Sequence, residues 1–122
     1  MTNRDAGLMC EQKASEYLIK KGMTILERNF YCREGEIDIV ARDGEYIVFV
    51  EVKARKNMLF GSPCEAVTYK KQRKIIMAAQ MYLQKSDTES ALRFDVIEII
   101  YSASKDDVEI KSINHIISAF EE

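Results

Sequence analysis

Apolar and polar residues alternate through two successive runs in the stretch from Gly35 to Arg55, GEIDIVARDGEYIVFVEVKAR, and the runs flank Asp43-Gly44. Asp-Gly between alternating runs is among the strongest short-range signals of a β-hairpin. With Asp43 and Gly44 as a two-residue loop, Arg42 faces Glu45, Val40 faces Ile47, Asp38 faces Phe49 and Glu36 faces Glu51. Lys53 then lies beyond them, opposite Glu34. Side chains alternate along a strand, so Ile37, Ile39 and Ala41 are expected to share one face with Tyr46, Val48, Val50 and Val52. The other face carries Glu36, Asp38, Glu51 and Lys53 among Val40, Ile47 and Phe49. Val48-Phe49-Val50 is apolar on both faces, as in a strand covered on both sides.

Elements with other periods frame the hairpin. Residues 5–22 read as a helix in which Ala14, Tyr17, Leu18 and Lys21 follow the period, and Gly22 suits the position just past its end. Glu11 falls on the inward stripe of that helix and Glu16 on the solvated side. Met23 to Phe30 reads as the first strand, with Arg28-Asn29 at its end beside the turn Tyr31-Cys32-Arg33-Glu34. Ser62-Pro63-Cys64-Glu65 carries a helix start, with Ser as N-cap, Pro at the first helical position and Glu three residues after the Ser. An apolar stripe of Ala66, Val67, Ile75, Ile76, Ala78, Ala79, Tyr82 and Leu83 continues it to Lys85, with Thr68 a place to restart after a kink. Leu92 to Tyr101 reads as a strand, with Arg93 and Asp95 on a face with Ile97 and Ile99. A turn over Ser102 to Asp107, a short strand over Val108 to Ile113 and a terminal helical turn over Ile116 to Phe120 complete the chain. The expectation is an α/β fold in α-β-β-β-α-β order: a mixed β-sheet flanked by helices, built as a single domain over residues 1–122.

A chain of 122 residues is long enough to bury about two-thirds of the surface its unfolded form exposes. The formal net charge of −2 announces no global attraction to nucleic acid. The distribution changes that picture. Residues 53–74 hold seven basic side chains (Lys53, Arg55, Lys56, Lys70, Lys71, Arg73, Lys74) against one acid, Glu65, so that segment carries +6 and the remainder −8. A cluster of that kind is either a solvated helix face or a clamp on a phosphate backbone. No run reaches the length of a membrane span and Met1-Thr2-Asn3-Arg4-Asp5 precedes no signal-peptide core, so a cytoplasmic protein without membrane contact is expected. Cys10, Cys32 and Cys64 lack Cys-x-x-Cys spacing and read as reduced packing residues. His115 is the only histidine, so neither a His-based triad nor a His zinc site can be assembled.

The charged face of the hairpin is where chemistry is expected. In the register above Asp38 and Glu51 are diagonal neighbours, with backbones about 7–8 Å apart. Their side chains can converge to flank one cation at about 2.1 Å each, as magnesium requires. Lys53 points to the same face, beside the two carboxylates. A one-residue slip would carry Glu51 and Lys53 away from Asp38. The competing interpretation of these residues is an ordinary half-exposed hairpin with charges on its wet face. The Arg93–Asp95 pair reads as structural and His115 as incidental.

Asp38 followed by Glu51-Val52-Lys53 resembles the split Asp…Glu-x-Lys signature of restriction-endonuclease-like nucleases. Tyr17-Leu18, Arg28-Asn29, Gly35-Glu36-Ile37-Asp38, Phe49-Val50-Glu51-Val52-Lys53, Gly61-Ser62-Pro63 and Arg93-Phe94-Asp95 occur in an order and spacing similar to the YraN-like family of small bacterial proteins. The likeness runs from Gly7 to Phe120; Ile37 stands where the signature usually has Pro, and Cys10 where relatives usually have Gly. The resemblance implies a restriction-endonuclease-like core and a magnesium- or manganese-dependent endonuclease that hydrolyses phosphodiester bonds. It implies Asp38, Glu51 and Lys53 as catalytic residues, the metal held by Asp38, Glu51 and the Val52 carbonyl, and Glu11 and Glu36 in support. Arg55, Lys56, Lys70, Lys71, Arg73 and Lys74 would then contact nucleic acid, with DNA the first expectation and a homodimer the arrangement that cuts two strands. Two alternatives stay open: a nucleic-acid-binding module without turnover, and a protein-interaction scaffold whose basic helix meets an acidic partner.

Overall fold

The computed structural model describes residues 1–56, 67–86 and 90–122. Their elements are α1 (Asn3–Lys20), β1 (Thr24–Cys32), β2 (Gly35–Asp43), β3 (Tyr46–Lys56), α2 (Tyr69–Ser86), β4 (Ala91–Ala103) and β5 (Val108–Phe120). The strands form one sheet in the order β1-β2-β3-β4-β5. All neighbours are antiparallel except β3 and β4, which are parallel. Parallel neighbours need a crossover, and α2 lies in it. The expected mixed α/β sheet flanked by helices is therefore present, and the short last strand expected over Val108 to Ile113 runs on to Phe120.

Each helix covers one face. Ala6, Cys10, Ala14 and Leu18 of α1 pack on Ile39, Ala41, Val48, Val50, Ile97 and Ile99. Ile75, Ile76, Ala78 and Ala79 of α2 pack on Val40, Ile47, Phe49, Phe94 and Val96. Val48, Phe49 and Val50 of the double-faced run are at most 1% exposed. Burying side chains of this size stabilises by about 1.5–3 kcal/mol each.

Local signals set the ends of both helices. Thr2 Oγ1 accepts from the Asp5 N–H while Asp5 Oδ2 accepts from the Thr2 N–H, a capping box that starts α1 before the expected Asp5. Gly22 follows the end of α1 at φ +95°, a conformation that disfavours other residues. Thr68 caps α2, its Oγ1 accepting from the Lys71 N–H at 3.1 Å. The expected earlier start at Ser62-Pro63-Cys64-Glu65 lies outside the described residues.

Three expectations are corrected. The hairpin loop is Gly44-Glu45: Asp43 pairs with Tyr46, Arg42 with Ile47 and Val40 with Phe49. Each partner moves by two residues, so the faces of β3 survive. Gly44, at φ +59°, supplies the left-handed residue that the tight turn needs. Secondly, Ile37 does not share the face of Ile39. Asn29 has φ +54°, and across this kink Phe30 and its partner Ile37 join the core under α2, while Ile39 stays under α1. Thirdly, Ile116 to Phe120 is strand, the end of β5. Ile116 pairs with Val96, and Phe120 pairs with Phe94 so that the two rings stack at 5.1 Å; that pairing outweighs any local helical tendency.

Candidate functional site

The β2–β3 ladder stops at Ile39 and Val50, and Asp38 is the first residue beyond it. The same register carried one step further sets Asp38 directly opposite Glu51, not diagonal to it. Here a side chain takes over from the ladder: Asp38 Oδ2 accepts from Val52 N at 2.8 Å. Asp38 is 8% exposed. Burial, a hydrogen bond with Glu51 and the negative charge of Glu51 together hold its carboxyl well above the usual carboxylate range. Two carboxyl groups placed this close disfavour having both charged, and Asp38 is the one whose proton is held more tightly.

Lys71 of α2 reaches across to the same place. Its Nζ lies 3.5 Å from Glu51 Oε2, and the Glu51 side chain is only 11% exposed. Lys71 and the Val52 N–H both pull the Asp38 pKa down, without overcoming burial and Glu51. Glu51, Val52, Lys53, Ala54, Arg55 and Lys71 line an open pocket of about 480 Å³ at the C-terminal part of β3. Lys53 pairs in register with Glu98 of β4 on its other side; towards β2 the ladder has already ended at Ile39 and Val50, so the expected position opposite Glu34 is not realised.

Glu11 approaches from α1. Its pKa is pushed up to about 7, first by burial, then by the charges of Asp38 and Glu36, against the pull of Arg28. Glu11 Oε1 is buried without a hydrogen-bond partner. Glu36 pairs with Tyr31 of β1 and not with Glu51, and it lines a second pocket of about 270 Å³ together with Glu11. Both supporting carboxylates therefore adjoin the pair on the α1 side. Arg28, expected at the end of the first strand, lies in the middle of β1, which runs on to Cys32; it donates to Gln12 and so fastens the strand to the helix that carries Glu11.

Of the basic residues, Lys70, Lys71, Arg73 and Lys74 are exposed on the first half of α2, Lys56 is exposed at the end of β3 and Arg55 is half-buried. Among the described residues no group of three or more His, Cys, Asp or Glu side chains has a geometry that could hold a metal ion. Two acidic ligands suffice for magnesium, which commonly keeps several waters and takes one or two carboxylates besides substrate phosphates. The raised pKa of Asp38 beside Glu51 fits such a cation, which those two carboxylates would hold, with the orphaned Glu11 Oε1 nearby.

A second polar cluster lies on the face covered by α1, and sequence reading did not anticipate its extent. Asp95, fully buried, accepts from Arg93 Nε and Nη2 at 2.9 Å, from the Ser118 N–H at 3.0 Å and lies 2.8 Å from His115 Nε2. Burial works to raise its pKa, but the bonds from His115, Arg93 and Ser118 prevail and hold it low. Arg93 also donates to Asp43 at 2.9 Å, which ties β4 to the hairpin turn. The pair is structural, as expected. His115 is not incidental: its side chain is 2% exposed and its ring meets Tyr17 edge-on. No sequence signal marks it, because the bulge in β5 that brings it to Asp95 depends on pairing with β4.

Residues 10–99 match the uncharacterised protein family UPF0102. The chain belongs to this family. A UPF0102 protein of Clostridium kluyveri is 50% identical over 112 residues, 91% of this chain and 92% of its own length. One from Clostridium tetani is 49% identical with the same coverage, and one from Clostridioides difficile is 45% identical over 98% of this chain and all of its own. The family resemblance read from the motifs is thus borne out. Among the described residues no helix is long and apolar enough to cross a membrane.

Proposed function

We propose that this UPF0102 protein is a metal-dependent endonuclease, a single domain hydrolysing phosphodiester bonds in nucleic acid, with DNA the first candidate. The observation that carries the reading is the meeting of Asp38 with Glu51, whose charge raises the Asp38 pKa, beside an open pocket lined by Glu51 and Lys53. Two carboxyl groups forced together inside a sheet weaken the fold unless a cation is meant to sit between them. Asp38, Glu51 and the Val52 carbonyl would hold Mg²⁺ or Mn²⁺. When bound, such an ion supplies a water of lowered pKa and neutralises charge developing on the phosphate. Lys53 would place its ammonium against the same phosphate oxygens, a stabilisation felt most in the transition state. Glu11 and Glu36 would adjust the charge around the pair from the α1 side. Lys56, Lys70, Lys71, Arg73 and Lys74, with Arg55, would hold the substrate backbone, and two copies of the chain would serve two strands.

One observation favours the non-catalytic binding reading: Lys71 already pairs with Glu51 and partly neutralises it. Cleavage separates the two. With manganese or magnesium the protein should nick nucleic acid, and Lys53→Ala or Glu51→Gln should abolish nicking without unfolding the chain. Equal cleavage by wild type and Lys53→Ala at matched purity would assign the activity to a contaminant.

A further inference from the structure

Among the described residues, the two most exposed large apolar side chains are Tyr69, at 74%, and Tyr31, at 66%. Neither belongs to a core cluster; Tyr31 lies in the pocket of the supporting carboxylates, and Tyr69 lies next in sequence to Thr68, which lines the Glu51–Lys53 pocket. Tyr31 pairs with Glu36 and lines the pocket that holds Glu11, with Arg4 and Asn29 on its wall. Tyr69 opens α2 between Thr68 and Lys71, two residues that line the Glu51–Lys53 pocket. The two elements meet: Lys74 of α2 packs over Gly35 of β2, where an added Cβ would touch it at 3.5 Å. The β1–β2 turn and the basic half of α2 therefore form one continuous end of the molecule.

We propose that Tyr31 and Tyr69 are stacking platforms through which this end of the molecule takes an unpaired DNA strand. The proposal rests on the nuclease reading for what happens to that strand, not for how it is held. An aromatic ring left in water at the mouth of a basic site offers a π-face to a base, and only unpaired bases can accept it. Bases inside a duplex are already stacked on one another. Lys70, Lys71, Arg73 and Lys74 beside Tyr69 supply the complementary charge for the phosphates between stacked bases. Hydrolysis at a pair of carboxylates makes no use of a 2′-hydroxyl. The sole histidine, which could have activated one, has its side chain 2% exposed against Asp95. DNA, which lacks that hydroxyl, is therefore a competent strand for this site, and the oligouridylate arm of the test decides between the two.

The test measures binding in chelator, where nothing is cut, by anisotropy of labelled oligothymidylate, of the same strand in a blunt duplex, and of oligouridylate. Wild type should bind the single DNA strand most tightly. Tyr31→Ala and Tyr69→Ala should each weaken that binding about five- to 150-fold, with duplex binding changed less than twofold. Tyr31→Phe and Tyr69→Phe, which keep the ring, should bind as wild type does. Unchanged affinity in both alanine variants, equal losses on duplex, or tighter binding of oligouridylate would each overturn the proposal. A protein that nicks duplex DNA yet shows no tyrosine-dependent strand binding would refute this proposal and leave the nuclease reading standing. Tyrosine-dependent binding without cleavage of any substrate would do the reverse.

Discussion

Replacing Asp38 by Asn removes one charge from the Asp38–Glu51 pair while keeping the shape of the side chain. The Asn carbonyl can still accept from the Val52 N–H, the bond that measures 2.8 Å in the wild type. Its amide can donate to Glu51 at every pH, where the Asp38 carboxyl can do so only while protonated. The sign of the effect follows from the raised Asp38 pKa. A carboxyl with a folded-state pKa above its unfolded value of about 3.9 contributes its full stability below that pH. That contribution is lost as pH rises through the unfolded pKa and on to the folded one. At neutral pH the wild type therefore carries a penalty that the Asn variant lacks. Each tenfold preference for the protonated form is worth about 1.4 kcal/mol. With Lys71 and solvent relieving part of the repulsion, one or two such factors give about 1–3 kcal/mol. For a domain of this size that is a rise in Tm of about 4–10 °C. Thermal melts by circular dichroism in chelator, from pH 4 to pH 8, provide the measurement. The variant should melt higher at neutral pH, and its advantage should shrink towards pH 4. A variant that melts lower than wild type at pH 7.5, or an advantage that does not change with pH, would refute the reasoning.

The buried Asp95 has the opposite sign. Its pKa is held low, so its stability is present above the unfolded pKa and lost as pH falls through the folded one. Asp95→Asn leaves Arg93 only its pair with Asp43 and should cost about 3 kcal/mol in urea unfolding; a change below 1 kcal/mol would mean the cluster is dispensable. Neutralising Lys70, Lys71, Arg73 and Lys74 together should flatten the log–log salt dependence of binding to single-stranded DNA by about 0.7 for each phosphate no longer neutralised. An unchanged slope would make the cluster a solvated face.

What could be read from residues alone depended on whether a local rule decided the outcome. The β2–β3 hairpin was legible because alternation and Asp43-Gly44 both mark it, and Glu51 and Lys53 kept their face because the register error was an even number of residues. The loop itself was misplaced by one residue, since Asp43-Gly44 and Gly44-Glu45 both put a glycine in the turn. The flip between Ile37 and Ile39 was not legible, because it arises from the positive φ of Asn29, a residue of the neighbouring strand. Glu11 was legible from helical period alone, and its orphaned oxygen adds what spacing cannot show. Lys71 looked like one of four equivalent cations. Only the packing of α2 against the sheet singles it out as the partner of Glu51. The end of β5 was misread as helical because its apolar spacing suits both periods, and its partner, Phe94, lies far away in sequence.

Calorimetric titration of the metal-free protein with manganese tests the central claim most directly, since it needs neither substrate nor turnover. Wild type should take up the ion saturably, release protons as Asp38 ionises, and gain thermal stability by mass action. Asp38→Asn and Glu51→Gln should each lose most of that heat and of the accompanying rise in Tm. Wild type that binds no manganese, or binds it as well after either substitution, would contradict a metal site at Asp38 and Glu51.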